Sequence, residues 1–121
     1  MHGDRGLRAI TLWNNLTGEE RTVETRWLFL CLGGVPHTPW AVEMGMMRDD
    51  AGYLVTGPDL LRNGRRPDKW ELDRDPYYLE TNLPGIFAAG DVRHGSIKRL
   101  ASAVGEGAMA VHFVYRYLTS G

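Results

Sequence analysis

The sequence predicts an α/β fold, and three observations support this prediction. Two stretches of strand-forming residues flank a turn-rich segment, an apolar run without alternation ends at two glycines, and the last third contains a long amphipathic helical pattern. The chain has 121 residues, of which 43% are hydrophobic and 24% charged, so its size and composition are those of one modest folded domain. A complete two-domain enzyme is excluded at this length.

The first elements of this fold are a predicted β-hairpin and a buried strand. Residues 7–13 and 21–26 favour strands, and the turn-forming residues 14–18 lie between them. Residues 27–32, Trp-Leu-Phe-Leu-Cys-Leu, are apolar throughout, as in a strand covered on both faces. We therefore expect a buried central strand, with Cys31 as a buried structural thiol.

The middle of the chain is predicted to be less regular. Residues 41–47 could form a short helical turn after a proline-containing loop, and residues 53–56 resemble a short strand. Residues 61–80 are expected to form a surface loop anchored by Trp70. Basic residues in this loop could contact a phosphate, but the acidic residues among them favour a solvated segment.

The second half contains the candidate site. Residues 86–89 read as a compact apolar strand that ends at Gly90 and Asp91, and residues 98–118 read as a helix. In open α/β folds ligands bind at the carboxyl ends of strands, close to helix amino termini. The predicted buried face of the helix has apolar residues at spacings of three and four: Leu100, Val104, Ala108, Val111, Tyr115 and Leu118.

Charge and cysteine content exclude several classes of function. The formal net charge of −1 gives no global field that would favour nucleic acid or a membrane surface. The formal charge of residues 1–60 is −3 and that of residues 61–121 is +2, so an anionic ligand is expected in the second half. The single cysteine excludes an internal disulfide or dithiol chemistry, and the histidines lack metal-ligand spacing. The amino terminus lacks the apolar core of a signal peptide, which predicts a cytoplasmic protein.

Four segments, in order, carry a resemblance to a known family. These are residues 27–38, 52–56, 80–92 and 98–107, and the most specific is the string from Thr81 to Val92, Thr-Asn-Leu-Pro-Gly-Ile-Phe-Ala-Ala-Gly-Asp-Val. They resemble the carboxyl-terminal part of the thioredoxin reductase-like family of FAD-dependent pyridine nucleotide-disulfide oxidoreductases. Lys98, Arg99 and Glu106, together with the loop that ends in residues 70–76, resemble the branch of that family fused to cyclic-nucleotide-binding or receiver domains.

The resemblance implies that the chain is a fragment of a flavoprotein fold with two dinucleotide-binding domains. Residues 1–35 would be the β-meander and last strand of the NADPH-domain side, and residues 36–121 the C-terminal half of the Rossmann-like FAD-binding domain. The Gly-x-Gly-x-x-Gly segment for FAD and the nicotinamide-nucleotide fingerprint are both missing. The isolated chain is therefore predicted to be inactive, with NADPH bound by the missing domain.

The resemblance also implies a set of cofactor-binding residues. Asp91 would hydrogen-bond the ribityl chain of FAD, and Gly90 would bound the same pocket. Lys98, Arg99 and Leu100 would lie beside the pyrimidine edge of the isoalloxazine ring, where cations and a helix amino terminus stabilise negative charge. The alternative role for Asp91 is that of a capping residue. No catalytic residue and no metal site are predicted within the chain.

Two further readings of function stay open at this point. The chain could be a stand-alone module that binds flavin or another nucleotide without turnover, or a unit for folding or dimerisation. Predicted strands without neighbours leave unpaired edges and apolar faces, so we expect a homodimer in addition to the missing amino-terminal FAD/NADPH portion as partners. Neither nucleic acid nor a membrane is expected as a partner.

Overall fold

A computed structural model describes residues 1–120. By its internal contacts the chain divides into two compact units, Met1–Gly33 and Gly34–Gly121. This division falls two residues before the predicted domain boundary after residue 35. The assignment of the units to an NADPH-domain side and an FAD-domain side stays a prediction.

The first unit contains the predicted hairpin, which is confirmed with shorter strands. Strands β1, Ala9–Trp13, and β2, Glu20–Glu24, pair in antiparallel register with Ile10 opposite Val23. In the connecting turn the Asn14 side-chain oxygen accepts hydrogen bonds from the next residues, with 2.9 Å to the Leu16 N–H. Such side-chain to backbone bonds explain why asparagine stabilises this turn.

The prediction of a buried strand over residues 27–32 is wrong. These residues form no helix or strand, and the exposed fractions of Trp27, Phe29 and Leu32 are 77%, 83% and 86%. A strand buried on both faces requires neighbouring strands and a layer on each side. Within residues 1–120 the only sheet is the two-stranded hairpin, so those neighbours are absent from the described chain. Cys31 is accordingly exposed, and its prediction as a buried thiol is also wrong.

The second unit is built from two helices and two short 3-10 helices. Helix α1 spans Pro39–Glu43, and it begins two residues before the predicted turn because Pro39 suits the first helical position. Helix α2 spans Leu100–Thr119 and confirms the predicted helix. The 3-10 helices span Gly57–Leu60 and Gly90–Val92. Among residues 1–120 no helix has both the length and the apolar character needed to cross a bilayer.

The two short strands predicted in this unit do not form. Residues 53–56 contribute only isolated bridges, from Leu54 to Arg48 and Arg93. Residues 86–89 contribute one, between Phe87 and Glu80. Glycines with positive φ flank both segments and turn the backbone away before a ladder can extend.

The core of the second unit lies between these irregular segments. Its buried apolar residues are Ala41, Met46, Leu54 and Ala88. Residues 61–80 form the predicted irregular segment, but its end is not on the surface, because Leu79 and Glu80 are 0% exposed.

Helix α2 packs on a different face from the one predicted. Leu100, Val104 and Leu118 are 84%, 65% and 73% exposed. The side that packs carries Glu106, which is buried, and Phe113, whose ring lies 5.5 Å from that of Tyr77. Apolar residues occur on both sides of this helix, so spacing alone could not select the packed side.

Candidate functional site

The candidate site centres on the 3-10 helix that begins at Gly90. Gly90 has φ of 76°, in the left-handed region that favours glycine. A Cβ atom at this position would lie 3.3 Å from the Cβ of Ala103 on α2. The turn therefore approaches α2 closely, and glycine is the residue that permits both the conformation and the approach.

A buried ion pair holds this turn against α2. The Glu106 carboxylate accepts a hydrogen bond from the Gly90 N–H at 2.6 Å and another from the Arg93 Nη2 at 2.5 Å. Side chains of Arg93 and Glu106 are 6% and 10% exposed. The hydrogen bond from Arg93, together with the Gly90 N–H and the nearby positive charges, outweighs burial and lowers the pKa of Glu106. The carboxylate is therefore ionised at neutral pH and fixes the start of the turn.

Sequence reasoning missed this pair as a structural element. In the sequence, Arg93 contributes only to the positive charge of residues 61–121, and Glu106 lies within a segment that carries the family resemblance. A signal was present, because Glu106 is the only Asp, Glu, Lys or Arg between Ala101 and Tyr115. A lone charge in an otherwise uncharged stretch of helix indicates a buried, paired group.

Asp91 presents a carboxylate without a partner inside the described chain. Its side chain is exposed, and within residues 1–120 it forms no hydrogen bond or ion pair. It caps neither neighbouring helix, since the cap positions are Ala89 and Arg99, and neither helix has a side-chain cap. The capping alternative thus lacks support, and the carboxylate is available to accept hydrogen bonds from a ligand.

Lys98 closes the same turn from the other side. Its Nζ donates to the backbone oxygens of Asp91 and Arg93, at 2.6 Å and 3.3 Å, and to the Ser96 Oγ at 2.8 Å. An ammonium group has three protons, so all of them have acceptors within the turn. The ammonium also lies 4.0 Å from the centre of the Tyr53 ring. Lys98 therefore acts on the conformation of the turn that carries Asp91.

The two remaining predicted residues follow directly at the start of α2. Arg99 occupies the cap position before the helix, and its side chain is exposed. Leu100 is the first helical residue and is 84% exposed. Gly90 and Asp91 are adjacent in the turn, and Lys98 is hydrogen-bonded to it. Within residues 1–120 the Arg99 side chain forms no hydrogen bond or ion pair with the turn, and Leu100 follows it in the chain.

A hydrogen bond between the side chains of Asp49 and His94 ties the turn to the loop before Tyr53. The Asp49 Oδ2 lies 2.6 Å from the His94 Nδ1, and the Asp49 Oδ1 accepts hydrogen bonds from the backbone of Ala51 and Tyr53. Burial alone would raise the pKa of Asp49, but these hydrogen bonds, with His94 foremost, lower it overall. His94 is thereby oriented by Asp49, and its backbone N–H donates to the Leu54 oxygen at 2.8 Å.

The resulting arrangement is an exposed carboxylate on a rigid turn. Glu106, Lys98 and Asp49 hold the turn at three points, and none of them uses the Asp91 side chain. A carboxylate can accept several hydrogen bonds, and bonds to a charged acceptor are the stronger kind. The geometry suits recognition of hydroxyl groups at the amino end of a long helix.

The structure matches solved proteins of one class. The thioredoxin reductase of Streptococcus pyogenes MGAS5005 matches 100% of this chain and 33% of its own, with a TM-score of 0.66 and 26% sequence identity. That of T. acidophilum matches 90% of this chain and 30% of its own, with a TM-score of 0.58 and 30% identity. The chain is therefore a mixed α/β segment of the class of proteins with two dinucleotide-binding domains.

Curated relatives give the same result. A thioredoxin reductase of Listeria innocua is 30% identical over 112 residues, which cover 93% of this chain and 29% of the relative. One of Bacillus subtilis is 30% identical over 119 residues, 98% of this chain and 31% of the relative. No protein-family model matches the chain. This chain belongs to the thioredoxin reductase family, and it spans about 30% of the length of these relatives.

These findings confirm two predictions from the sequence. The family resemblance and the α/β fold class are confirmed. The branch fused to cyclic-nucleotide-binding or receiver domains stays a prediction. The cofactor-binding roles of Gly90, Asp91, Lys98, Arg99 and Leu100 also stay predictions.

Proposed function

We propose that this chain forms one wall of the FAD site in an NADPH-dependent flavoprotein oxidoreductase. The observation that carries the proposal is the Gly90–Val92 turn, which is fixed on α2 and presents the unpartnered Asp91 carboxylate in a chain of the thioredoxin reductase family. Family membership supplies the class of reaction. The geometry of the turn supplies a reason why Asp91 is the residue that meets the cofactor.

The residues present fit this cofactor. Gly90 allows the turn to lie close to α2, and Asp91 offers an acceptor to a polyhydroxyl chain. Helix α2 has 20 residues, and its amino end carries partial positive charge from unpaired N–H groups. Arg99 adds a full positive charge at the same end. Both favour an isoalloxazine edge that carries negative charge.

In this mechanism the chain binds and orients, and the reactive atoms belong to the cofactor. Bound FAD would supply the capacity to accept a hydride, with NADPH as the donor. Asp91 would accept a hydrogen bond from a ribityl hydroxyl and so help to orient the cofactor. Leu100 would shield the pyrimidine edge of the ring from water, and Arg99 would stabilise negative charge there. Lys98 is a positioning residue in this scheme, because its protons are directed to the turn.

The proposal is testable in a chimera in which this chain replaces the corresponding segment of the Bacillus subtilis thioredoxin reductase. Asp91→Ala removes the charged acceptor of a hydrogen bond worth roughly 1.5–3 kcal/mol, so FAD affinity should fall about 10- to 150-fold. Asp59→Ala is the matched control, because it removes an exposed carboxylate that forms no side-chain hydrogen bond. Equilibrium dialysis with FAD measures both. An unchanged affinity in a folded Asp91→Ala chimera contradicts the proposal.

The isolated chain is proposed to be inactive, because neither nucleotide fingerprint is present in it. NADPH oxidation in the presence of added FAD should not exceed the rate with free flavin. A rate above that background contradicts this part of the proposal. We also propose a cytoplasmic location, which fits the reduced state of a single exposed thiol.

A further inference from the structure

A basic cleft of about 660 Å³ lies in the second unit, at the segment that follows Leu60. Its volume is within the range of small-molecule sites, about 300–1,000 Å³. Three short segments form its walls, and Leu60, 1% exposed, contributes at its base. The lining residues whose chemistry matters are Arg62, Arg65, Arg66, Asp68, Lys69 and Asn82.

Two arginines of the cleft are paired across a tight hairpin. Arg62 donates its backbone N–H to the oxygen of Arg65 at 3.0 Å, and Arg65 donates back at 2.9 Å. Asn63 and Gly64 between them have φ of 51° and 73°, the signs that a type I′ turn requires. Residues directly opposite in an antiparallel pair project to the same side. The two arginine side chains therefore leave the hairpin on the same side, and both line the cleft.

This arrangement brings two like charges onto the same side of an exposed hairpin. Like charges directly opposite each other on a two-stranded ladder are destabilising. Within residues 1–120 neither guanidinium forms a hydrogen bond or an ion pair, and the same holds for the ammonium group of Lys69. Lys69 also has φ of 68°, an uncommon conformation for a lysine.

Two of the neighbouring acidic residues, Asp73 and Asp75, are paired with Arg66. The Arg66 guanidinium forms ion pairs with Asp75 at 2.8 Å and with Asp73 at 3.4 Å, and it also donates a hydrogen bond to the Leu72 backbone oxygen. The sequence alone favoured a solvated segment because acids interleave with the bases. In the structure two of those acids are bound to Arg66, and Asp68 is the one acidic residue lining this cleft. The positive charges of Arg62, Arg65 and Lys69 thus remain in excess.

The opposite walls are fixed before any ligand binds. The Asn82 Oδ1 accepts the Met47 N–H at 2.7 Å, and its Nδ2 donates to the Gly45 oxygen at 2.9 Å. These bonds join the segment after α1 to the loop that contains Leu83 and Pro84. The cleft also has an apolar part of its lining, formed by Met44, Met47, Leu83 and Pro84.

We infer that this cleft binds a small soluble phosphate ester, and that Arg62 and Arg65 donate hydrogen bonds to its phosphate oxygens. Guanidinium groups bind phosphate through paired, charge-assisted hydrogen bonds, and two adjacent groups can bind one phosphate or a diphosphate. Lys69 adds a third positive charge, and the wall of Met47, Leu83 and Pro84 accommodates a less polar part of the ligand. A concave site of this volume suits a small molecule better than an extended acidic peptide.

The test uses the 121-residue chain and three probes, which are inorganic pyrophosphate, adenosine 5′-monophosphate and adenosine. Calorimetry measures affinity, and amide chemical shifts locate binding. Pyrophosphate and the monophosphate should bind saturably and shift residues 62–69, whereas adenosine should not. Arg62→Gln/Arg65→Gln should weaken binding about tenfold or more, because each lost charged hydrogen bond is of that order. The matched control Arg21→Gln/Arg26→Gln removes two positive charges from the first unit, and it should change affinity less than about twofold.

Several outcomes overturn the inference. These are absence of saturable phosphate binding at millimolar concentration, shifts confined to other residues, or equal weakening by both double variants. Tighter binding of an acidic peptide at residues 62–69 than of either phosphate probe also overturns it. If a variant does not fold, the amide chemical shifts of the unmodified chain still test the inference. The double variant Arg62→Lys/Arg65→Lys keeps both charges, so it should weaken binding less than Arg62→Gln/Arg65→Gln.

Discussion

The apolar segment 27–32 and the charged residues around Gly90 have environments opposite to those their composition suggests. The segment is the longest apolar run in the chain, yet Trp27 and Phe29 are 77% and 83% exposed. Glu106 and Arg93, in contrast, are 8% and 5% exposed. The comparison shows that burial follows from the availability of partners. Glu106 has a cation and an N–H donor within reach, whereas the apolar segment has no neighbouring strand in the described chain.

A second buried acid extends the same lesson. Glu80 is 0% exposed, and its carboxylate accepts two hydrogen bonds from Arg74, at 2.6 Å and 3.0 Å, and one each from the backbone of Tyr77 and Gly85. Together these contacts take the place of the hydrogen bonds that water would make with the Glu80 carboxylate. Glu80 organises the segment before the Gly90 turn, as Glu106 organises the turn itself.

The largest expected effect is that of Glu106→Ala. This change leaves the buried Arg93 cation unpaired and the Gly90 N–H without its acceptor, so the free energy of unfolding should fall by about 3–5 kcal/mol. Urea denaturation followed by circular dichroism measures it. Glu71→Ala, at an exposed position, is the control and should change stability by less than about 0.5 kcal/mol. Equal effects of the two variants would show that the pair does not hold the turn.

Glu80→Gln should have an intermediate effect. The amide keeps the shape and one acceptor, but it loses the charge that binds the Arg74 guanidinium in a two-point contact. Loss of a charged hydrogen bond predicts a decrease of about 2 kcal/mol in the free energy of unfolding. Arg74 retains its contact with the Tyr77 ring, 3.9 Å from the ring centre, which limits the loss. A decrease below about 0.5 kcal/mol in the same denaturation experiment would contradict the assigned role.

The pH dependence of stability should separate Glu106 from the exposed acids. Because its pKa is lower in the folded chain than in the unfolded chain, its ionisation stabilises the fold above the ordinary glutamate pKa of about 4.3. That contribution should be lost as the pH falls through the lower pKa of the folded state. Denaturation midpoints between neutral and acidic pH should therefore decrease less steeply for Glu106→Gln than for the unmodified chain. If the midpoints of the two proteins changed with pH in the same way, ionisation of Glu106 would not contribute to the pH dependence of stability.

The smallest effect on stability is expected in the exposed segment. Phe29→Ser/Leu32→Ser should change the free energy of unfolding by less than about 0.5 kcal/mol per site, since both side chains are already in water. Self-association should decrease, because we predict that a homodimer covers this apolar surface. Sedimentation velocity at several concentrations measures it, with Val104→Ser/Leu118→Ser on the exposed side of α2 as the comparison. A monomeric unmodified chain would contradict the predicted homodimer.

Local features of the fold were predictable from the sequence. The hairpin follows from the turn chemistry at Asn14 and from strand-forming residues on both sides, and these act over a few positions. The extent of α2 follows from its periodicity and from the helix-forming residues after Arg99. The string around Gly90 and Asp91 identified both the family and the region of the candidate site, because it is long and specific.

The sequence by itself therefore determined the hairpin, the extent of α2, the family and the position of Asp91 in the chain. Only the tertiary structure decided which side of α2 packs, that Lys98 closes the turn, and that Glu106 reaches Gly90 across 16 positions of sequence. Local preferences depend on neighbours a few residues away, whereas burial and ion pairing depend on groups brought together from distant parts of the chain. An apolar or charged residue has no fixed environment until those partners are present.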